Sequence, residues 1–279
     1  MTARSSQRVN PVKRPDEIEA LRVAAEVVSG VHKMLRERIV PGVVTSELDN
    51  WAEEYIRDQG ATSAFKGYVM GDDEDNPYPA TLCISINDIV VHGIPGDTLL
   101  KEGDIVAVDV GVVKDGYHGD CAFTYGVGEI DESKQRLLET TVKALYLGIE
   151  QAVPGNWVYD IAGAIQKEVE RKGYGVVREL VGHGIGRSLH EDPAVPNFVP
   201  NPFVRHRFQN QKLVGAMVIC IEPMVNAGTY KVDTEDDGWT VRTHDGLPSA
   251  HFEHMVVVRE GEAEILTNHI PEPVTELVT

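Results

Sequence analysis

Val40-Pro41-Gly42 recurs 113 positions later as Val153-Pro154-Gly155, and Gly60 recurs at the same offset as Gly173. A repeat this long is not a solenoid period and points to two related halves in one fold. In the first half, Pro15-Asp16-Glu17 opens a helix with an acidic first turn, striped by Ile18, Leu21, Ala25, Val28, Val31, Leu35 and Ile39. Thr45 or Ser46 then caps a helix carrying Leu48, Trp51, Ala52, Tyr55 and Ile56, which ends at Gly60. In the second half, a helix from about Asp131 to Ala152 precedes one carrying Val158, Ile161, Ile165 and Val169, which ends at Gly173. Strands follow the first pair near Thr81–Ile86 and Ile89–His92. The expected fold is α/β of the α+β kind: two pseudo-symmetric halves, each a helix pair plus an antiparallel sheet, meeting at a common centre.

The repeat has a chemical consequence. Asp104 to Tyr125 reads as two apolar strands joined at Lys114-Asp115-Gly116, and Asp-Gly between alternating apolar runs is a strong hairpin signal. A turn centred on Lys114-Asp115 puts Asp109 opposite Asp120; one centred on Asp115-Gly116 makes them diagonal neighbours. In either register both carboxylates share a face, about 5–8 Å apart. The offset of 113 carries Asp109 onto Glu222, at the end of an apolar strand Met217–Glu222. A later strand, His251–Val258, carries Glu253. Facing acids in buried strands repel one another, so either one is protonated or something positive sits between them, and a metal is the simplest answer.

The candidate set is Asp109, Asp120, His183, Glu222 and Glu253. Two divalent ions roughly balance four carboxylates, and hard oxygen ligands with one nitrogen suit Mn, Fe, Co, Mg or Zn. Such a pair activates water and clamps a carbonyl, which is hydrolytic chemistry. Taken singly, an acid is more often a cap or a surface charge. That reading is weak for Asp109 and Glu222 inside apolar strands, and stronger for Glu253 between His251 and His254. Gly182-His183-Gly184-Ile185-Gly186 superficially resembles a dinucleotide loop, but the strand before it is short and Arg187-Ser188-Leu189-His190 before Pro193 opens a helix poorly. Glycines beside a histidine instead let backbone approach closely. His190-Glu191 lacks the second histidine of a zincin helix, and neither a nucleophile elbow nor a phosphate loop is present. His92 ends an apolar strand, where a lone histidine is more often structural. Cys83, Cys121 and Cys220 read as reduced core thiols with no zinc spacing. The net charge of −18 argues against a nucleic-acid surface, and no apolar run reaches the roughly 18 residues of a membrane span.

Six ordered stretches carry a resemblance: CISINDIVVHGIPGD (83–97), DVGVVKDGYHGDCAFTY (109–125), GHGIGRSLHEDP (182–193), IEPMVNAG (221–228), DGWTVRTHDG (237–246) and AHFEHMVVV (250–258). The chain resembles a type I methionine aminopeptidase of the pita-bread metallopeptidase family, from about Pro15 to Thr267. The resemblance implies removal of the initiator methionine from nascent polypeptide N-termini whose second residue is small. It implies two divalent ions drawn from Co, Mn, Fe, Zn or Ni. Asp109 would hold the second metal, Asp120 and Glu253 would bridge, and His183 and Glu222 would complete the first. Glu222 would also be the general base on the attacking water. His190 would stabilise the tetrahedral intermediate, and His92 would lie near the scissile nitrogen. Phe65, Tyr68, Tyr78, Cys83, Leu189 and Trp239 would line the substrate pocket.

The sequence departs from the compact bacterial pattern. Phe65 stands where many members have cysteine, and Leu189 where an aromatic is usual. An acidic segment is inserted near Gly71–Asn76, and Asn201–Lys212 is longer than usual; both are expected beside the cleft. The expected organisation is a tail over 1–14, one domain over 15–268 and a tail over 269–279. A cytoplasmic monomer is expected, with no membrane or nucleic-acid partner and with ribosome association open. A related peptidase cleaving Xaa-Pro bonds is the competing reading, as is a non-catalytic binding protein of this fold. The first usually carries a further N-terminal domain, and the second typically loses ligands that are all present here.

Overall fold

The computed structural model describes residues 11–71, 74–201, 203 and 208–267. The repeat is visible in its helices. These are α1 (Pro15–Arg36), α2 (Thr45–Asp58), α3 (Glu132–Ile149) and α4 (Val158–Arg171). The offset of 113 maps α2 onto α4 at both ends, and the last residue of α1 onto the last of α3. Gly42 and Gly155 share a left-handed backbone, with φ of 93° and 98°. Helix ends follow local chemistry. Pro15 opens α1, and Glu17 accepts the Arg14 backbone N–H. Asp131 accepts the N–H groups of Ser133 and Lys134 at the start of α3, a good N-cap. Two expectations shift. Thr45 lies inside α2, where Val44 is the cap residue, and its hydroxyl donates to Gly96 instead. Helix α3 stops at Ile149, and Glu150–Gln151 form a turn.

The hairpin of the first half runs from Ile105–Lys114 to Tyr117–Gly126. Asp115 and Gly116 both have positive φ, 51° and 79°, as a tight primed turn requires. The pairing Lys114↔Tyr117 fixes the register: Asp109 faces Ala122 and Asp120 faces Gly111. The two aspartates are therefore diagonal neighbours. Cys83–Ile86 and Thr62–Ser63 pair one after the other along the opposite edge of Ile105–Lys114, with Val106–Asp109 and Val112–Val113. Helix α1 packs across it.

The second half builds a five-stranded sheet in the order Glu264–Ile265, His254–Val257, Val218–Ile221, Gly182–Gly184, Glu191–Val195. Smaller sheets join Ser249–His251 to Met224–Asn226 and Gly175–Val176, and Val232–Thr234 to Val241–Thr243 and Ile89–Val91. The strand expected over His251–Val258 is broken. Its first part pairs with Met224–Asn226 and its second with Val218–Ile221, so the chain changes sheets at Phe252-Glu253. Glu253 is thus held at a junction. Its N–H donates to the Ala122 carbonyl at 2.8 Å, and its own carbonyl accepts from Cys121 Sγ at 2.7 Å. These bonds stitch the two halves together along the central hairpin.

Of the stretch expected as a tail over 1–14, Val12 and Lys13 are tied to the fold. Val12 bridges to Met217, and the buried Lys13 ammonium pairs with the buried Glu191 carboxylate. Residues 1–10 and the tail at 269–279 lie outside the described residues, as do parts of the two insertions. Among the described residues, no helix is long and apolar enough to cross a membrane.

Candidate metal centre

The halves meet over a cavity of about 280 Å³, and all five expected ligands stand in its wall. Asp109 and Asp120 come from the hairpin, and His183 from the strand Gly182–Gly184. Glu222 follows Val218–Ile221, and Glu253 sits at the sheet junction. His183 Nε2 lies 3.7 Å from Asp120 Oδ2 and 3.6 Å from Glu222 Oε1. Its Nδ1 donates to the Gly184 carbonyl at 3.0 Å, which leaves Nε2 with a lone pair aimed at the carboxylates. The flanking glycines permit this. A Cβ on Gly182 would stand 2.3 Å from the Cys220 carbonyl oxygen, and one on Gly184 would stand 2.2 Å from that of Asp192.

Burial dominates the electrostatics. It pushes Asp109 up to about 7 and Glu222 up to about 8. Asp120 and Glu253 rise well above the ordinary range, first by burial and then by repulsion from neighbouring acids. Burial also drives His183 down to about 3, so its imidazole is neutral. Asp109 Oδ1, Asp120 Oδ1 and Glu253 Oε1 are buried without a hydrogen-bond partner among the described residues. Buried polar atoms are nearly always satisfied, and a cluster of bare carboxylate oxygens beside an imidazole lone pair is the donor set of a divalent cation. Donor atoms of Asp120, His183, Cys220 and Glu253 all fall within 4.8 Å of one another. The residues present fit a metal.

The remaining expected residues line the same cavity. Tyr68 OH lies 2.8 Å from His190 Nδ1, and the His190 ring packs edge-on against His183 at 4.4 Å. His92 has a left-handed φ of 58°, and its Nδ1 is buried and unpartnered among the described residues. Burial, then His251 and His190, lowers it to about 4. Tyr78 and His92 both meet Trp239 edge-on, at 5.2 and 6.2 Å. Trp239 Nε1 donates to the Asn76 carbonyl, so the inserted acidic segment braces this wall. Phe65 and Leu189 are buried wall residues, and Cys83, paired with Asp109 across the sheet, carries a thiol pushed far up by burial. The inert thiol is wall rather than nucleophile. Asn201 and Phe208 of the second insertion line a different hollow, with Arg178 and Tyr230.

Sequence reasoning missed Met70, Leu180, Val181 and Met224 in the wall, and two side chains at the floor, Cys220 and His251. A signal for the last two existed. Each stands two positions before an expected glutamate, on the same face of an extended chain.

Buried carboxylates gathered between two pseudo-symmetric halves define a metal-dependent hydrolase centre. Residues 19–260 match metallopeptidase family M24, and the chain belongs to that family. The methionine aminopeptidase of Clostridium perfringens is 46% identical over 92% of this chain and 98% of its own. Methionine aminopeptidase 1 of Bacillus subtilis is 45% identical, covering 91% and 98%. The crystal structure of methionine aminopeptidase from Rickettsia prowazekii superposes with a TM-score of 0.85 at 35% identity, over 92% of this chain and 98% of that one. The fold is the pita-bread fold of these relatives.

Proposed function

We propose that this cavity takes the N-terminal methionine of a polypeptide and that the side chains at its floor release it by metal-dependent hydrolysis. One observation carries the reading: donors suited to hard cations stand at the end of a pocket walled by aromatic and sulfur-bearing side chains. Phe65, Tyr68, Met70, Cys83, Met224 and Trp239 offer the polarizable surface that a thioether packs against well. The name methionine aminopeptidase, carried by relatives along nearly their whole length, supports the same substrate.

Asp109, Asp120, His183, Glu222 and Glu253 would hold two divalent ions, of the class Co, Mn, Fe, Zn or Ni. Bound cations would supply Lewis acidity, making water nucleophilic near neutral pH and polarising the peptide carbonyl. The protein's own groups do the rest. Glu222, with Oε1 turned toward His183 and the cation site, would be the carboxylate that accepts the water's proton once bound cations keep it ionised. Tyr68 OH stands 2.8 Å from His190 Nδ1; in the tautomer where the hydroxyl donates there, the ring proton sits on Nε2 and would meet the developing oxyanion. His92, neutral and unsatisfied at Nδ1, serves the leaving nitrogen. The natural substrates are nascent chains with a small second residue.

A peptide panel tests the reading. Manganese-loaded protein is expected to release methionine from Met-Ala-Ser with a kcat/KM at least about tenfold above that for Met-Phe-Ser, about 1.4 kcal/mol of discrimination. Ala-Pro peptides should stay intact. Cleavage of Ala-Pro peptides with Met-Ala-Ser untouched would transfer the site to Xaa-Pro chemistry.

A further inference from the structure

His251 is a buried group at this floor with no part in metal holding, proton transfer or oxyanion stabilisation. It closes the strand Ser249–His251, opposite Met224 and two residues before Glu253. Its backbone is fixed at both polar atoms by one side chain. The N–H donates to Thr124 Oγ1 at 2.9 Å, and the carbonyl accepts from that hydroxyl at 2.8 Å. Its side chain is 3% exposed, and Nε2 stands 3.5 Å from Glu222 Oε2 with no hydrogen-bond partner among the described residues. Leaving a buried imidazole nitrogen unsatisfied costs about 1–3 kcal/mol. A rigidly held strand that aims such a nitrogen at a carboxylate calls for a use.

The other oxygen of Glu222 supplies the context. Glu222 Oε1 faces His183 Nε2 at 3.6 Å, so the carboxylate is bracketed by two imidazoles, one at each oxygen. The two nitrogens are not equivalent. His183 Nε2 carries a lone pair, because the ring's proton resides on Nδ1, which donates to the Gly184 carbonyl. A second lone pair at Glu222 Oε2 would be repulsive, whereas an N–H there would be a donor to an ionised acceptor.

We propose that His251 is a positioning residue for Glu222: its Nε2–H donates to Glu222 Oε2 and fixes the carboxylate plane, so that Oε1 stays turned toward His183 and the cation site. The present 3.5 Å contracts to a hydrogen bond through a small rotation of either side chain, as contacts in unliganded catalytic sites commonly do. The inference rests on the reading of Glu222 as ligand and proton acceptor. It assigns a residue type as well as a place. A glutamine could present an N–H from the same strand, whereas a leucine of similar bulk could not.

Two measurements test this. In zinc-loaded protein labelled with ¹⁵N-histidine, the imidazole resonance that disappears in His251→Gln should show a proton bound at Nε2. An unprotonated Nε2 would overturn the proposal, since it would make His251 a metal ligand or a bystander. In parallel, His251→Leu and His251→Gln are compared by kinetics on Met-Ala-Ser and by zinc calorimetry. His251→Leu should lose about 10–100-fold in kcat and weaken zinc binding, with KM changed by less than about threefold. His251→Gln should return to within about fivefold of wild type in both. Leucine at wild-type kcat, or glutamine as poor as leucine, contradicts the donor role. If His251→Leu does not fold, the tautomer measured in wild type decides alone. Wild-type protein that binds zinc yet never cleaves Met-Ala-Ser would refute the peptidase reading instead, and the tautomer would still decide the contact.

Discussion

Replacing Gly184 with alanine should damage stability and turnover together, for a reason set by backbone geometry. Gly184 sits between the strands Glu191–Val195 and Val218–Ile221. An added Cβ would lie 2.2 Å from the Asp192 carbonyl oxygen, 2.7 Å from its carbon and 3.1 Å from the Glu191 oxygen. All three atoms are backbone, so no rotamer change relieves the clash, and the strands must part by about 1 Å. Overpacking of this kind costs about 1–3 kcal/mol. In a chain of this size that lowers the melting temperature by about 3–10 °C. One side of the gap carries His183 and the other follows His190, whose rings touch at 4.4 Å. A displacement of about 1 Å between groups that must act together costs about 100-fold in rate. Gly163→Ala is the control. That site lies inside α4, and its nearest neighbour would be Val199 Cγ2 at 3.6 Å, an ordinary contact. It should gain about 0.5–1 kcal/mol from helix propensity with turnover unchanged. Thermal melting and steady-state hydrolysis of Met-Ala-Ser read both variants. A Gly184→Ala protein that melts within about 1 °C of wild type and keeps its kcat would refute the argument.

The Lys13–Glu191 pair gives a second expectation. Both side chains are buried, so Lys13→Met should cost about 3–5 kcal/mol by stranding the Glu191 carboxylate, and Lys13→Met with Glu191→Leu should recover most of it. Urea midpoints measure both, and a single variant as stable as the double would show the pair to be idle. pH dependence gives a third. Asp109 and Glu222 are raised to about 7 and about 8, so the folded metal-free chain keeps protons that the unfolded chain releases above about pH 4–5. That stability is complete below the unfolded values and is lost as pH rises through the folded ones, at up to about 1.4 kcal/mol per pH unit for each carboxylate. Cations require the deprotonated ligands, so the melting-temperature gap between manganese-loaded and EDTA-treated protein should widen from about pH 5 to about pH 8. A constant gap contradicts this.

Much of the framework was legible because it is local. Helix ends are written in Pro15, Gly42, Gly60, Gly155 and Gly173, and the repeat needed only their spacing. The hairpin was legible too, but not its register, since Lys114-Asp115 and Asp115-Gly116 differ by one residue and are separated by the observed Lys114↔Tyr117 pairing and the positive φ at both Asp115 and Gly116. The break at Phe252-Glu253 was hidden because a change of sheet is set by which strands lie alongside, not by the run of apolar residues itself. Lys13 was hidden for the same reason: in sequence it is one base in a polar tail, and its partner lies 178 positions away. His251 and Cys220 were within reach of the two-residue alternation of an extended chain, since each stands two positions before an expected glutamate.

The central claim is that the buried acids drive methionine release through bound metal. Its most direct measurement is free methionine liberated from Met-Ala-Ser by protein stripped of metal and then titrated with manganese, beside Glu222→Gln treated alike. Wild type should be silent without metal and should rise to saturation as manganese is added, while folded Glu222→Gln stays at least about 1,000-fold lower throughout. Turnover by wild type that ignores the metal, or a near-normal kcat in Glu222→Gln, would contradict the account.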